Sequence, residues 1–585
     1  MSSMARSWRG LLRLTHLTGP ILDKELRVES RRRRNYAVRA AYLALLTLFV
    51  TLVWLSTVPH HASGVSLTWR LAVAGQAMTM LIVWFQFLAC QAVAIVMLST
   101  AISDEVSHRT LGVLMTTPIN SLQIVIGKLV GRLVQVLLLM AVSLPLLAIV
   151  RVFGGIPWAF LGGSWVLTLT TTLFVGSVSL LFSISCRRAY AVIAWATLSL
   201  AVLWGLIPLL AVLVATQYRF ISEPQLESFF SLTHPYVGLG EMSAWFASPR
   251  ALPLGVRGAW LWPSLVMAIG TIGVLTIAVS RVRAVARRQI SGEGSATGPS
   301  RVRPAARTSR RPVPVKGCPV LWKEMRAPLL GRRRGLTVVA LGLALGSLAV
   351  MYAVAAGDGR ALDDQGFHMA MVFVFMLVGV FFCVVIPATT ITSEKEGRSW
   401  PILLATPLGD WRIVLAKGLG AIRRGLPAWA FLAVHVLAFT IAGLIHPLAI
   451  LQLAMVVTGQ VAFLTGTGLY FSSRFRHTTA AVIANIAVPA VLWVLMPIVL
   501  AMVMTVFRLG HRGLERYMLL CPFRQALAST EACTGASPLR YSSWGGAAST
   551  PGGATVLVLM AMGIYVLLGF LCARQAKCRL RKRVF

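Results

Sequence analysis

The stretch EVSHRTLGVLMTTPINSLQIVIGKLVG, Glu105 to Gly131, returns later in the chain as EKEGRSWPILLATPLGDWRIVLAKGLG, Glu394 to Gly420. The two align without a gap at a constant offset of 289, with nine of 27 positions identical. The identities are Glu105/Glu394, Arg109/Arg398, Leu114/Leu403, Thr117/Thr406, Pro118/Pro407, Ile124/Ile413, Val125/Val414, Lys128/Lys417 and Gly131/Gly420. The same offset recurs at Arg187/Arg476, Trp204/Trp493 and Pro208/Pro497. A second patch pairs Pro20, Leu22, Lys24, Glu25 and Arg27 with Pro319, Leu321, Lys323, Glu324 and Arg326. A sequence that repeats itself at a fixed long period is built from copies of one structural unit.

Around this repeat the composition excludes an ordinary water-soluble protein. Of the 585 residues 57% are hydrophobic and 12% charged, and mean hydropathy is +0.77. Soluble domains carry about twice that share of charge. A bilayer core of about 30 Å needs roughly 20 apolar residues per helix. Stretches of that kind occur near residues 40–57, 75–101, 133–150, 159–185, 191–215 and 261–280, and again near 336–356, 369–390, 426–445, 450–471, 480–506 and 554–572. The expected fold is an all-α polytopic membrane protein with about 12 transmembrane helices, arranged as two parallel six-helix repeats. The first module covers residues 1–282 and the second 317–585. Between them, residues 283–316 are rich in Gly, Ser, Pro and Arg, which suits a basic disordered linker.

The net charge of +37 follows from orientation rather than from a nucleic-acid partner. With both termini in the cytoplasm, 44 of the 55 Lys and Arg residues fall on the inner side, as the positive-inside rule requires. Cleavable-signal features are missing from the Arg-rich start, so insertion is expected to begin at the first span, and the expected location is the cell (inner) membrane, multi-pass. The segments at about 20–34 and 319–334 precede the first helix of each module and end in arginine runs, so they are expected to lie along the inner headgroups as interfacial helices.

The repeated loops at about 102–118 and 391–407 begin with acid, carry Arg109 or Arg398 one turn later, and place leucines at helical spacing before a proline. Each is expected to form a short amphipathic cytoplasmic helix. For one such helix, simple solvation of the bilayer face would be the better reading; two alike suit a docking surface for two copies of a partner. His234-Pro235-Tyr236 and Cys521-Pro522-Phe523 mark a second repeated loop, expected to hold a small re-entrant or interfacial helix. Cys521 and Cys533 share a loop, where a disulfide and two free thiols are both open.

Several chemistries have no sequence support. All 18 acidic residues fall outside the apolar stretches, so a carboxylate proton or sodium relay is not evident. His435 is the nearest ionisable candidate, read as a packing residue. No Gly-x-x-x-x-Gly-Lys-Ser/Thr occurs, because Gly127-Lys128 is followed by Leu129. The eight cysteines show no zinc spacing. No catalytic residue and no metal site are expected.

These motifs resemble the permease subunits of ABC transporters of the type-2 (ABC-2) exporter family: the Pro-x-Leu-x-Lys-Glu-x-Arg entry, the loop from Glu105 to Lys128, the six-span unit and the Pro-aromatic element before its last span. The resemblance covers the chain twice, as two six-span units fused. It implies a translocation pathway for an exported substrate, driven by a separate cytoplasmic ABC ATPase in two copies that would bind the ATP and Mg, with no cofactor in this chain. It also implies docking of that subunit at the coupling helices, through Glu105, Arg109, Thr110 and Leu114 and through Glu394, Arg398, Ser399 and Leu403. Lys24, Glu25, Arg27, Lys323, Glu324 and Arg326 would belong to the interfacial helices. The second copy departs at Trp400-Pro401, where the first has Leu111-Gly112. The rival readings are an ion-gradient-driven secondary transporter and a non-transporting membrane assembly or scaffold component.

Overall fold

A computed structural model describes residues 21–581 except 28–32, 59–64, 109, 112–118, 155, 187–188, 209–210, 213–214, 216–221, 248–257, 291–316, 327–344, 347, 350, 354–355, 358–361, 508, 511, 535–538, 540, 542–543 and 545–548. The chain forms an all-α polytopic membrane protein, with helices and no strand among the described residues. It divides into two compact units, one of residues 1–308 with 505–507 and the other of the remainder.

The first unit opens with a short helix α1 over residues 21–27. Then come α2 (Arg33–Thr57), α3 (Val65–Ser99), the short α4 (Ser103–His108), α5 (Ser121–Gly154) and α6 (Trp158–Ser185). Next are α7 (Ala189–Ala201), which runs into a π-helical turn at Val202–Leu206, then α8 (Glu223–Thr233), α9 (Pro235–Ala247) and α10 (Leu261–Ile290). The second unit repeats the order: α11 (Pro319–Arg326), α12 (Gln365–Thr389), the short α13 (Thr392–Glu396) and α14 (Trp400–Leu404), then α15 (Asp410–Ile441) and α16 (Leu448–Arg474). It ends with α17 (Thr478–Ala490), a π turn at Val491–Leu495, α18 (Met496–Val506), α19 (Arg512–Leu519), α20 (Pro522–Cys533) and α21 (Pro551–Arg579).

Among the described residues, ten helices are long and apolar enough to cross a membrane. They include every expected stretch except two. Of the fifth, near 191–215, the described apolar helix is the shorter Ala191–Gly205, and residues 209–210 and 213–214 lie outside the described residues. Most of the seventh, near 336–356, lies outside the described residues, as do the later parts of the two expected interfacial helices.

Helix ends differ from the hydropathy boundaries for local reasons. Counting the expected stretch near 336–356, α5 and α15 are the third long helices of their units; each starts well before its apolar stretch, at Ser121 and Asp410, because its first turn is satisfied locally. The Asn120 amide donates to Gln123 Oε1 at 3.0 Å, and Asp410 places an acid at the positive end of the helix dipole. Lys128, Arg132, Lys417, Arg423 and Arg424 are therefore helical residues, not loop residues. In the same way α10 continues to Ile290, past the expected start of the linker at 283, while residues 291–316 lie outside the described part.

The two π turns sit at the same place in each unit, again 289 residues apart, and each carries the repeated tryptophan. The Pro-aromatic elements form helices that lean on them. The ring of Trp204 lies 5.5 Å from Tyr236, and that of Trp493 lies 5.8 Å from Phe523. A π turn widens the helix and leaves carbonyls poorly paired. Here His234 Nε2 lies 2.9 Å from the Trp204 carbonyl, and the Tyr517 hydroxyl donates to the Leu492 carbonyl at 2.5 Å.

Candidate functional site: a duplicated charge latch

The repeated residues of the third long helix lie at helical spacing on one face. In α5, Ile124, Val125 and Lys128 are buried, and in α15 so are Ile413, Val414 and Lys417. An i, i+1, i+4, i+7 set of this kind makes one stripe, and the fourth member is Gly131 or Gly420.

The glycines are required by what packs across them. A Cβ on Gly131 would stand 2.9 Å from Glu25 Cβ, and one on Gly420 would stand 2.6 Å from Glu324 Cβ. Each glycine thus admits the short helix that opens its unit, α1 or α11, against the third long helix. The glutamate brought in this way meets the buried lysine. Lys128 Nζ lies 3.4 Å from Glu25 Oε1 and 2.5 Å from Glu105 Oε1. Lys417 Nζ lies 2.6 Å from Glu324 Oε1 and 2.5 Å from Glu394 Oε1. One lysine therefore ties together three segments that are far apart in sequence: the opening helix, the coupling segment and the third long helix.

A second cation balances the charge of each cluster. Arg132 Nε lies 3.6 Å from Glu25 Oε2, and Arg424 Nη2 lies 3.2 Å from Glu324 Oε2. Two carboxylates and two cations make each group neutral. That matters because an unpaired charge taken out of water costs several kcal/mol. Lys323 Nζ adds a looser contact, 3.5 Å from Glu394. In both units the other oxygen of the coupling glutamate, Oε2 of Glu105 or Glu394, is buried with no hydrogen-bond partner among the described residues.

The coupling segments also close their backbones alike. The Thr110 amide donates to the Glu105 carbonyl and the Ser399 amide to the Glu394 carbonyl, each at 3.0 Å. The second segment is not one continuous helix. It is α13 and α14 joined by a turn at Gly397, Arg398 and Ser399, where Arg398 has the left-handed φ of 55° and Pro401 starts the next helix. Trp400 is the anchor: it packs with Ile391, Ile413, Val414 and Leu469, and its counterpart Leu111 is equally buried. The Trp-for-Leu departure is thus a larger side chain in the same anchoring role. Lys395 donates to the carbonyls of Ser472, Ser473 and Phe475 at 3.0, 2.5 and 3.1 Å, closing the end of α16. Burial, with the Arg476 charge as a lesser cause, lowers its pKa to about 8. Glu396 accepts from the Thr478 amide at 2.6 Å and so caps α17.

The expected docking residues divide accordingly. Glu105 and Glu394 turn inward onto the lysines and do not present their carboxylates as contact groups. Leu403 is half-buried beneath Trp400, facing inward. Thr110, Arg398 and Ser399 are exposed. Arg109 and Leu114, with the rest of the first segment over 112–118, lie outside the described residues. Ile402, not singled out from the sequence, is 72% exposed and is the apolar residue that the second segment offers outward.

The opening helices divide in the same sense. Glu25 and Glu324 face the latch. Lys24 and Lys323 are exposed, Arg27 pairs with Asp23 at 2.9 Å, and Arg326 stacks over Trp322 at 4.3 Å.

Outside the latch, His435 is not a lone histidine. His368 Nδ1 lies 3.5 Å from its Nε2, and the Tyr352 hydroxyl lies 2.6 Å from its Nδ1. In the sequence His368 stands just before the apolar stretch that begins near residue 369, so hydropathy does not place it beside His435. All eight cysteines, Cys521 and Cys533 included, are free thiols. No cluster of His, Cys, Asp or Glu able to hold a metal occurs among the described residues.

Comparison with known proteins bears on the repeat directly. The sequence matches the family described as ABC-2 family transporter protein over residues 20–356 and again over 320–573. No curated protein matches the chain, and no solved structure does. With the match repeated across nearly its whole length, the chain belongs to the ABC-2 transporter family and carries two fused copies of that family's membrane unit.

Proposed function

We propose that the chain is the permease of an ATP-driven exporter, forming the translocation pathway while a separate cytoplasmic ABC ATPase, in two copies, binds ATP and Mg and hydrolyses the nucleotide. The observation that carries this reading is the duplicated latch. A membrane protein with no nucleotide-binding motif that builds the same charge-locked loop in both units has two equivalent handles, which suits a motor with two equivalent subunits. The end of each unit that holds its latch is also where the Lys and Arg residues gather, so the positive-inside rule assigns it to the cytoplasm, together with both termini.

The mechanism follows from the connections. The exposed turn at Arg398, Ser399 and Ile402, and Thr110 in the first unit, would meet the ATPase. A displacement of the coupling segment passes through Glu105 or Glu394 to the buried lysine. From there it reaches the third long helix and the opening helix together, because one ammonium holds both carboxylates. Closure of the two ATPase subunits would then tilt both units at once and turn the pathway outward. Glu105 and Glu394 act in this scheme as positioning residues behind the contact surface.

The test separates contact from positioning. Full-length chain is purified in mild detergent from its native membrane, alongside an Arg398→Glu/Ile402→Asp variant. A P-loop ATPase and ATP hydrolysis should accompany the native chain, whereas the variant should keep its melting temperature and lose both. An ATPase that stays bound to the variant, or a native chain that carries none, would overturn the reading.

A further inference from the structure

A cleft of about 730 Å³ opens in the second unit between the last turn of α16 and the last turns of α21. Arg474, Arg574 and Arg579 line it, with Gln575, Cys578 and Leu571, and among the described residues no acidic side chain does. All three arginines are exposed.

The arginines are arranged rather than merely collected. Arg474 Nη1 donates to the Tyr470 hydroxyl at 3.0 Å, and the Arg579 guanidinium lies over the same ring at 5.4 Å. One tyrosine thus organises two of the three cations. Two helix ends meet at this cleft, and their free carbonyls would ordinarily repel an anion. At α16 that repulsion is offset, because Lys395 holds the carbonyls of Ser472, Ser473 and Phe475. Further along, the two helices touch backbone to backbone, since a Cβ on Gly466 would stand 2.1 Å from the Gly569 carbonyl oxygen. The cleft lies beyond that contact, towards the ends of the two helices.

A planar guanidinium matches the oxygens of a phosphate, and three line this one cleft. What lies beside the cleft selects the source of that phosphate. Leu571 lines the cleft and is 41% exposed, and Phe570 and Leu567 on the same helix are 54% and 57% exposed. An apolar strip therefore runs from the arginines along a membrane-spanning helix. We propose that this cleft binds the phosphate of an anionic phospholipid, with the headgroup among Arg474, Arg574 and Arg579 and an acyl chain along Leu571 and Leu567. The tyrosine and the first arginine are not repeated in register: at the offset of 289, Arg474 corresponds to Ser185 and Tyr470 to Leu181.

Cys578 reports on occupancy. The full chain is prepared with its other seven cysteines changed to serine, and its reaction with N-ethylmaleimide is timed in neutral detergent. Dioleoyl phosphatidylglycerol, dioleoyl phosphatidylcholine or inorganic phosphate is added in separate arms. Each basic residue contributes about fivefold to binding an anionic lipid, so phosphatidylglycerol should slow labelling while phosphatidylcholine at the same concentration does not. Protection should vanish in the Arg474→Gln/Arg574→Gln/Arg579→Gln variant, whose melting temperature checks its fold. Equal protection by inorganic phosphate would uphold the phosphate site and assign it to a soluble anion. Equal effects of the two lipids, or protection that survives the triple substitution, would overturn the proposal.

Discussion

In the first unit Lys128 reaches one glutamate closely and the other loosely, at 2.5 and 3.4 Å; in the second, Lys417 holds both, at 2.5 and 2.6 Å. The supporting arginine also differs. Arg132 follows its lysine by one helical turn, whereas Arg424 stands nearly two turns beyond Lys417, where the first unit has Gln135 instead. The common part is the lysine with its two carboxylates, and the supporting cation has been supplied from different positions. This shows which element the architecture requires. A cation that bridges the opening helix and the coupling segment must stand on the same helix face as the glycine that admits the opening helix, while a charge that only balances the cluster can come from any nearby turn.

The comparison can be broken most severely at the lysines. Lys417→Met leaves Glu324 and Glu394 together without their shared cation and should cost about 3–5 kcal/mol, with Lys128→Met at the lower end of that range because one of its two contacts is already long. Thermal denaturation of the full chain in detergent measures both; equal losses would show that the shorter contacts of the second unit carry no extra stability.

The glycines come next. Gly420→Ala drives a methyl group into Glu324 at 2.6 Å, and Gly131→Ala into Glu25 at 2.9 Å. Overpacking of this kind costs about 1–3 kcal/mol, and Gly420→Ala should be the worse of the two. The opening helix should also loosen, which protease sensitivity near Arg326 would reveal. Finding no such sensitivity would mean that the helix shifts without leaving the latch.

A smaller effect is expected from pH. Lys395 has its pKa lowered to about 8 in the folded chain, mainly by burial, against an ordinary value of 10.5. Between these values the unfolded chain binds the proton and the folded chain does not, so this residue makes stability rise with pH across that window and level off above it. Below pH 8 both states are charged, and the folded state carries the full desolvation penalty. The rise should be absent from Lys395→Met when melting temperature is followed from pH 7.5 to 10.5; an identical slope in the variant would assign it to another group.

The smallest change is Arg398→Gly. Glycine accepts the φ of 55° without strain, so the variant should gain up to about 1 kcal/mol while losing a cation at the exposed turn. Greater thermal stability together with weaker ATPase association would separate the contact surface from the latch behind it. A stabilised variant that still binds the ATPase normally would remove Arg398 from the docking surface.

Much of this was legible in the sequence, and the limits have physical causes. Duplication and the apolar helices were visible because a bilayer imposes length and composition on every span. The residues of the latch were visible too, since Glu105, Lys128 and Gly131 are identities of the repeat. Their association was not. Glu25 and Glu324 repeat at an offset of 299 rather than 289, so no single register joins them to the lysines, and only folding does. Glu105 and Glu394 looked like exposed contacts because an acid at the start of a loop helix is usually solvated; a lysine one face away, counted as a loop residue, changes that. Leu403 and Ile402 are adjacent, and which of them faces outward depends on the turn at Arg398, a conformation that the side chain itself disfavours. The arginines of the lipid cleft were counted only as positive-inside charge, since a charge count carries no information on which cations converge.

The π turns at Val202–Leu206 and Val491–Leu495 impose a further constraint on movement. Each opens a carbonyl that a side chain from outside the helix then occupies, His234 in the first unit and Tyr517 in the second. The fifth helix of each unit is therefore hooked, far from its latch, to the small helices that precede the last span. A rotation begun at one end cannot be absorbed as a bend along the way without unhooking that bond, so the short helices beyond must swing as passengers of the helix that carries the tryptophan.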